Sequence, residues 1–151
     1  MKQFRSVDDI LDFAISEEEA AAEFYRQLAS TVSTPVMQQV FEEFAMEEVV
    51  HKQKLLLVKE QRLLLPAEDT IVELWKGEIV VDSVSENALE YQQALQLAID
   101  KEKAAFKMYH DLAGVADDAA LKSLFMTLAE EEAKHKVRFE VEYDKQFLTD
   151  N

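Results

Sequence analysis

The chain has 151 residues, a formal charge of −15, two Gly, two Pro and no Cys. Without Cys, disulfides, Cys-ligated zinc and iron–sulfur clusters are excluded, and so acidic a surface repels nucleic acid and anionic membranes. The length suits one domain, residues 1–151, and the shortage of Gly and Pro beside plentiful Ala, Leu, Glu and Lys favours long helices, so the expected class is all-α.

The first predicted helix runs from about Val7 to Ser30. Ser6 stands where an N-cap is needed, Asp8 and Asp9 lie in the positive first turn, and Ile10, Phe13, Ala14, Ala21, Phe24, Tyr25 and Leu28 follow a helical period. The second begins near Thr34-Pro35, where Pro is tolerated, and should end before Pro66. Pro66, Gly77 and the β-branched run Ile79-Val80-Val81 mark about 65–83 as a long crossover, with a candidate short helix around Ile71–Lys76. The third helix starts near Ser83 or Ser85, with Ser83 and Glu86 spaced as a capping box, and ends at Gly114, read as a C′ glycine. The fourth starts near Asp117 or Asp118 and runs to about Phe147. The amino-terminal Met-Lys-Gln-Phe-Arg-Ser lacks the apolar stretch of a signal peptide, and no apolar run approaches the roughly 20 residues that span a bilayer. A cytoplasmic protein is expected.

The two halves, about 6–64 and 84–148, repeat one pattern in an ungapped register of 84 residues. Ala14 matches Ala98, Ile15 matches Ile99, Ala21 matches Ala105, and Tyr25 and Leu28 match Tyr109 and Leu112. Glu18, Glu48 and His51 match Glu102, Glu132 and His135. Around them identity is lost: Glu17, Glu19 and Glu23 stand opposite Lys101, Lys103 and Lys107, which marks those positions as solvated. Glu18 and Glu102 persist amid that reversal and lie on the apolar stripe of Ala14, Ile15, Ala21 and Tyr25. Glu48 and His51 are three residues apart, about 60° around a helix, so both aim at one place, with Phe41, Phe44 and Ala45 extending that stripe. Leu124, Phe125, Leu128 and Ala129 do the same for Glu132 and His135.

Each hairpin thus offers one lone Glu and one Glu-x-x-His. On a four-helix bundle this is the donor set of a di-iron or di-manganese carboxylate site. Four buried carboxylates would each cost several kcal/mol unpaired. Two divalent cations balance them and leave both imidazoles neutral. Two Glu can bridge the ions, while each His and each remaining Glu holds one. The expected ligands are Glu18, Glu48, His51, Glu102, Glu132 and His135, around two iron ions per chain, with manganese the alternative.

Other residues have plainer readings. Glu47 and Glu131 also agree between the halves, and a surface position or a contact behind a ligand suits them better than direct coordination. Tyr25 and Tyr109 are core aromatics or hydrogen-bond donors to a ligand carboxylate. His110 matches Arg26 and is expected in water. The runs Leu55–Leu57 and Leu63–Leu65 are too continuous for one face and suggest burial against the crossover or another subunit.

The pattern Ala-Ile-x-x-Glu-x-x-Ala-x-x-x-Tyr-x-x-Leu-Ala, followed by Glu-Glu-x-x-His, spans Ala14 to Ala29 and Glu47 to His51, and recurs at Ala98 to Ala113 and Glu131 to His135. It closely resembles the rubrerythrin family. The resemblance implies a ferritin-like four-helix bundle, two helical hairpins joined by the long crossover, and a non-haem di-iron site in a homodimer that reduces hydrogen peroxide. Two features depart from that family. The Cys-ligated rubredoxin domain of typical members has no counterpart, so the chain looks like the short, erythrin-type members and needs an external redox donor protein. The extra Glu ligand one turn after the third-helix Glu is replaced by Ala105, which puts in doubt the metal movement and strong peroxidase activity linked to it. The leading expectation is a di-iron oxidoreductase acting on peroxide or dioxygen. The alternatives are a ferroxidase or iron-handling protein, a dimanganese catalase-like protein, and a non-catalytic metal-binding helical module.

Overall fold

The computed structural model describes Phe4, residues 6–61 and residues 88–148. Helix α1 spans Val7–Thr31; Ser6 is its N-cap, extended at φ −159° and ψ 167°, and its Oγ accepts from the Asp9 N–H at 3.1 Å. No glycine ends it. The Ser30 and Thr31 hydroxyls donate back to the Gln27 and Leu28 carbonyls at 2.6 and 2.7 Å, and Val32 leaves in extended conformation. Helix α2 covers Pro35–Gln61, with Thr34 Oγ1 accepting from the Met37 N–H at 3.3 Å. Helix α3 covers Ala88–Val115 and α4 covers Ala119–Tyr143, where Asp118 caps by accepting from the Ala120 and Leu121 N–H groups. A π-helical turn, Asp144–Leu148, continues α4.

Helices α1 and α2 pack as one hairpin, α3 and α4 as the other, and α1 meets α3 between them. The result is the expected all-α four-helix bundle, and among the described residues there is no strand. One boundary differs from expectation. Gly114 lies inside the last turn of α3, not after it; its backbone is not left-handed, and nothing lies within 4 Å of where its Cβ would be. The α3–α4 turn is therefore set by the Asp118 cap and by the buried Ala116, not by a glycine cap. The crossover at 65–83 with its candidate helix, the end of the second helix at Pro66, the Ser83–Glu86 box and Leu63–Leu65 lie outside the described residues. Leu55 is buried, while Leu56 and Leu57 are half-exposed.

The apolar core forms two clusters. One holds Phe41, Phe44, Tyr91, Leu95 and Phe139; the other holds Leu11, Leu55, Leu112, Leu121 and Phe125. Along every helix the repeated Glu and His positions fall between residues of one cluster and residues of the other. Each fully buried large side chain contributes about 1.5–3 kcal/mol, enough in aggregate to support a polar layer at mid-bundle that would otherwise be costly.

Candidate metal centre

Ala14 and Ala98, one turn before Glu18 and Glu102, are fully buried, and so the short methyls bring the helices close where the carboxylates enter. Glu18, Glu48, His51, Glu102, Glu132 and His135 are all at most 3% exposed. His51 Nδ1 lies 3.2 Å from a Glu18 oxygen, 3.3 Å from Glu48 and 3.4 Å from Glu132. His135 Nδ1 lies 3.4 Å from Glu132, 3.5 Å from Glu102 and 3.8 Å from Glu48. The imidazoles are nearly parallel, at 6°, with centroids 5.9 Å apart.

Two overlapping groups result, Glu18–Glu48–His51–Glu132 and Glu48–Glu102–Glu132–His135, each with donor atoms within 4.8 Å of one another. Glu48 and Glu132 belong to both; Glu18 and Glu102 belong to one each. The two groups thus share two carboxylates. The donor atoms also lack other partners. Both oxygens of Glu48 and Glu132, one oxygen each of Glu18 and Glu102, and both Nδ1 atoms are buried without a hydrogen bond. Buried polar atoms in folded proteins are rarely left so. Carboxylate oxygen and imidazole nitrogen are the donors that divalent iron and manganese accept, so the residues fit the metal pair.

Their electrostatics say the same. Burial, then the charges of Glu18 and Glu102, push the Glu48 carboxyl up to about 7. Burial, with Glu102 and Glu48, pushes Glu132 well above the usual carboxylate range. For His51 burial acts downward, but the Glu18 and Glu48 carboxylates outweigh it and raise the imidazole to about 10. His135 is raised well above its ordinary value against the same burial, mainly by Glu102. The cluster attracts positive charge.

The tyrosines bond across the bundle. Tyr25 in α1 donates its O–H to Glu102 in α3, and Tyr109 in α3 donates to Glu18 in α1. Each lone Glu is therefore oriented by the opposite hairpin. Burial first, then the nearby carboxylates, hold both phenols well above their ordinary pKa, so both remain donors.

Glu47 is only 2% exposed. One of its oxygens lies 3.2 Å from His135 Nε2, and the other accepts from Arg138 Nη1 at 3.2 Å. A carboxylate on the far nitrogen fixes the ring with Nδ1 aimed at the centre. Glu131 is also buried. Neither belongs to a four-residue group. Sequence reasoning missed Arg138; the available signal was that its repeat partner Lys54 is also basic. It missed the Tyr91 O–H donating to the buried Glu142 at 2.6 Å, for which the repeat gives no signal because Val7 and Val58 stand at the matching positions. His110 is exposed, as are Glu19, Glu23, Lys103 and Lys107, and Glu17 and Lys101 are half-exposed.

Among the described residues no helix is long and apolar enough to cross a membrane. No curated protein sequence matches the chain. A hypothetical protein of Pyrococcus furiosus with a solved structure is 23% identical, over 92% of this chain and 89% of that one, with a TM-score of 0.65, and it shares the fold. The rubrerythrin family model matches residues 9–73 and 93–151, and each matched segment carries one lone Glu and one Glu-x-x-His. The chain belongs to the rubrerythrin family.

Proposed function

We propose that the protein is a non-haem di-iron oxidoreductase that reduces hydrogen peroxide, or dioxygen, with electrons from an external donor protein. The observation that supports this most is the set of partnerless buried oxygens and nitrogens in two overlapping groups. Glu18 and His51 would hold one ion, Glu102 and His135 the other, and Glu48 and Glu132 would span both. When bound, the ions supply one electron each, so that hydrogen peroxide and two protons become two waters, and the donor protein returns the two electrons. Tyr25 and Tyr109 hold Glu102 and Glu18 at fixed orientation through their O–H groups. The Phe44 ring meets His135 edge-on at 5.0 Å and lies tilted against Phe139 at 4.1 Å, an apolar cover over that end of the site.

The test is metal content on purified protein, then anaerobic Fe(II) titration and a peroxide pulse. Two irons per chain are expected, with an absorption band that appears with peroxide and bleaches with reductant; His51→Ala should keep one iron. Iron that binds without responding to peroxide or oxygen would overturn the reading. Oxygen release without reductant would indicate catalase chemistry, and loading far beyond two irons would indicate iron handling.

A further inference from the structure

The polar layer has an opening on one side. A cavity of about 40 Å³ lies between α1 and α3 and ends on Glu18, Tyr109 and Glu132. Ala21 and Ala105 line it, so two methyl groups leave space directly beside the carboxylates. Toward solvent it shares Glu17, Ala104 and Met108 with a wider depression of about 340 Å³ whose other walls include Phe4, Phe13 and Leu112. The two form a funnel with an apolar mouth and a small polar end.

The funnel breaks the repeat. Met108 and Tyr109 line it; their counterparts Phe24 and Tyr25 do not. Phe24 instead packs edge-on against Tyr25 at 5.2 Å, with the Lys101 ammonium 5.7 Å above its ring. An unbranched thioether on one side and a pinned ring on the other leave the small cavity beside the buried Glu18 and Glu132.

Size decides what can enter. A water needs about 10–15 Å³, so the inner cavity takes roughly three or four waters at most, or one molecule of hydrogen peroxide or dioxygen. An aryl or tertiary-alkyl hydroperoxide does not fit. We propose that this cavity is the entry and holding site for the oxidant, that it admits hydrogen peroxide or dioxygen and excludes bulky organic hydroperoxides, and that Ala105 and Met108 set the cut-off. The proposal rests on the oxidoreductase reading above.

The experiment uses the full iron-loaded chain, as wild type, Ala105→Leu and Met108→Ala, with hydrogen peroxide and cumene hydroperoxide as oxidants. A single added methylene commonly shifts discrimination by roughly 10-fold or more. Wild type should therefore react with cumene hydroperoxide at least about 10-fold more slowly than with hydrogen peroxide. Ala105→Leu should slow hydrogen peroxide by a similar factor while still binding both irons, and Met108→Ala should speed cumene hydroperoxide. Unchanged peroxide kinetics in Ala105→Leu, or equal wild-type rates with both oxidants, would overturn the proposal. Xenon binding to the metal-free chains, read by xenon NMR, separates this proposal from the oxidoreductase reading. If iron-loaded wild type ignores peroxide, that reading fails. The cavity as an entry site then stands if xenon binds wild type more tightly than Ala105→Leu, and falls if the two chains are alike.

Discussion

Loading the site with metal should expel protons, because the environment of four groups holds protons on them. Glu48 is raised to about 7 and His51 to about 10. Glu132 and His135 are raised well above their ordinary values. At pH 7 the metal-free core therefore holds a proton on His51 and about half of one on Glu48, and the upward shifts of Glu132 and His135 favour the protonated forms there too. Coordination needs neutral imidazoles and ionised carboxylates. Metal binding should then release at least about one proton at pH 7, and each released proton makes binding more favourable by about 1.4 kcal/mol per unit rise in pH. The same shifts fix the sign for stability without metal. His51, raised from 6.5 to about 10, contributes stability that is full below 6.5 and lost as pH rises through 10. Glu48, raised from 4.5 to about 7, also costs stability as pH rises through that interval. The metal-free fold should weaken from about pH 4.5 upward, and the gain on adding metal should widen. Calorimetry of Mn(II) binding at pH 7, in two buffers of different ionisation enthalpy, counts the protons; thermal melts with and without metal follow the stability. Release of fewer than one proton, with affinity flat between pH 6 and 8, would refute the reasoning.

Three further outcomes follow from particular contacts. Glu47→Ala removes the carboxylate behind His135 and should weaken one metal position by roughly 10–100-fold while sparing the other; a chelator competition resolves the two steps, and equal weakening of both would count against the asymmetry. Tyr25→Phe leaves Glu102 without its donor, as Tyr109→Phe does for Glu18. Each should retain two metal ions at lower affinity, again by roughly 10–100-fold, and full loss of metal would mean that the phenol does more than orient. Phe139 is fully buried against Tyr25, Phe41 and Phe44. Phe139→Ala should cost about 3–5 kcal/mol in urea unfolding; a cost below 1 kcal/mol would show that the core collapses around the gap.

The inner donors were legible in the sequence because the chain carries its own comparison. Glu18 and Glu102 hold while Glu17 and Lys101 reverse, and a helix turns adjacent positions to different sides. Helix ends were legible where a capping side chain fixes them, as at Ser6 and Asp118, and misread at Gly114, where composition suggested a cap that packing does not need. What spacing cannot give is contact between hairpins. The helical period puts Tyr25 on the face of Glu18, yet its hydroxyl reaches Glu102, because the phenol is long enough to cross to α3. The repeat also hides its own breaks. Arg138 stands where the first half has Lys54, Met108 where it has Phe24, and Tyr91 with Glu142 where it has Val7 and Val58. The inner six answer to one constraint, four carboxylates and two imidazoles buried together at mid-bundle, and that constraint is the same in both halves. Residues behind them answer only to local packing and charge, so they can diverge. The divergence has a consequence for the site. His135 is backed by Glu47, itself neutralised by Arg138, whereas among the described residues no carboxylate bonds His51 Nε2. Two groups with like donors therefore sit in unlike fields, and the Met108 cavity ends on Glu18, which belongs to the His51 group alone, and on Glu132, which both groups share.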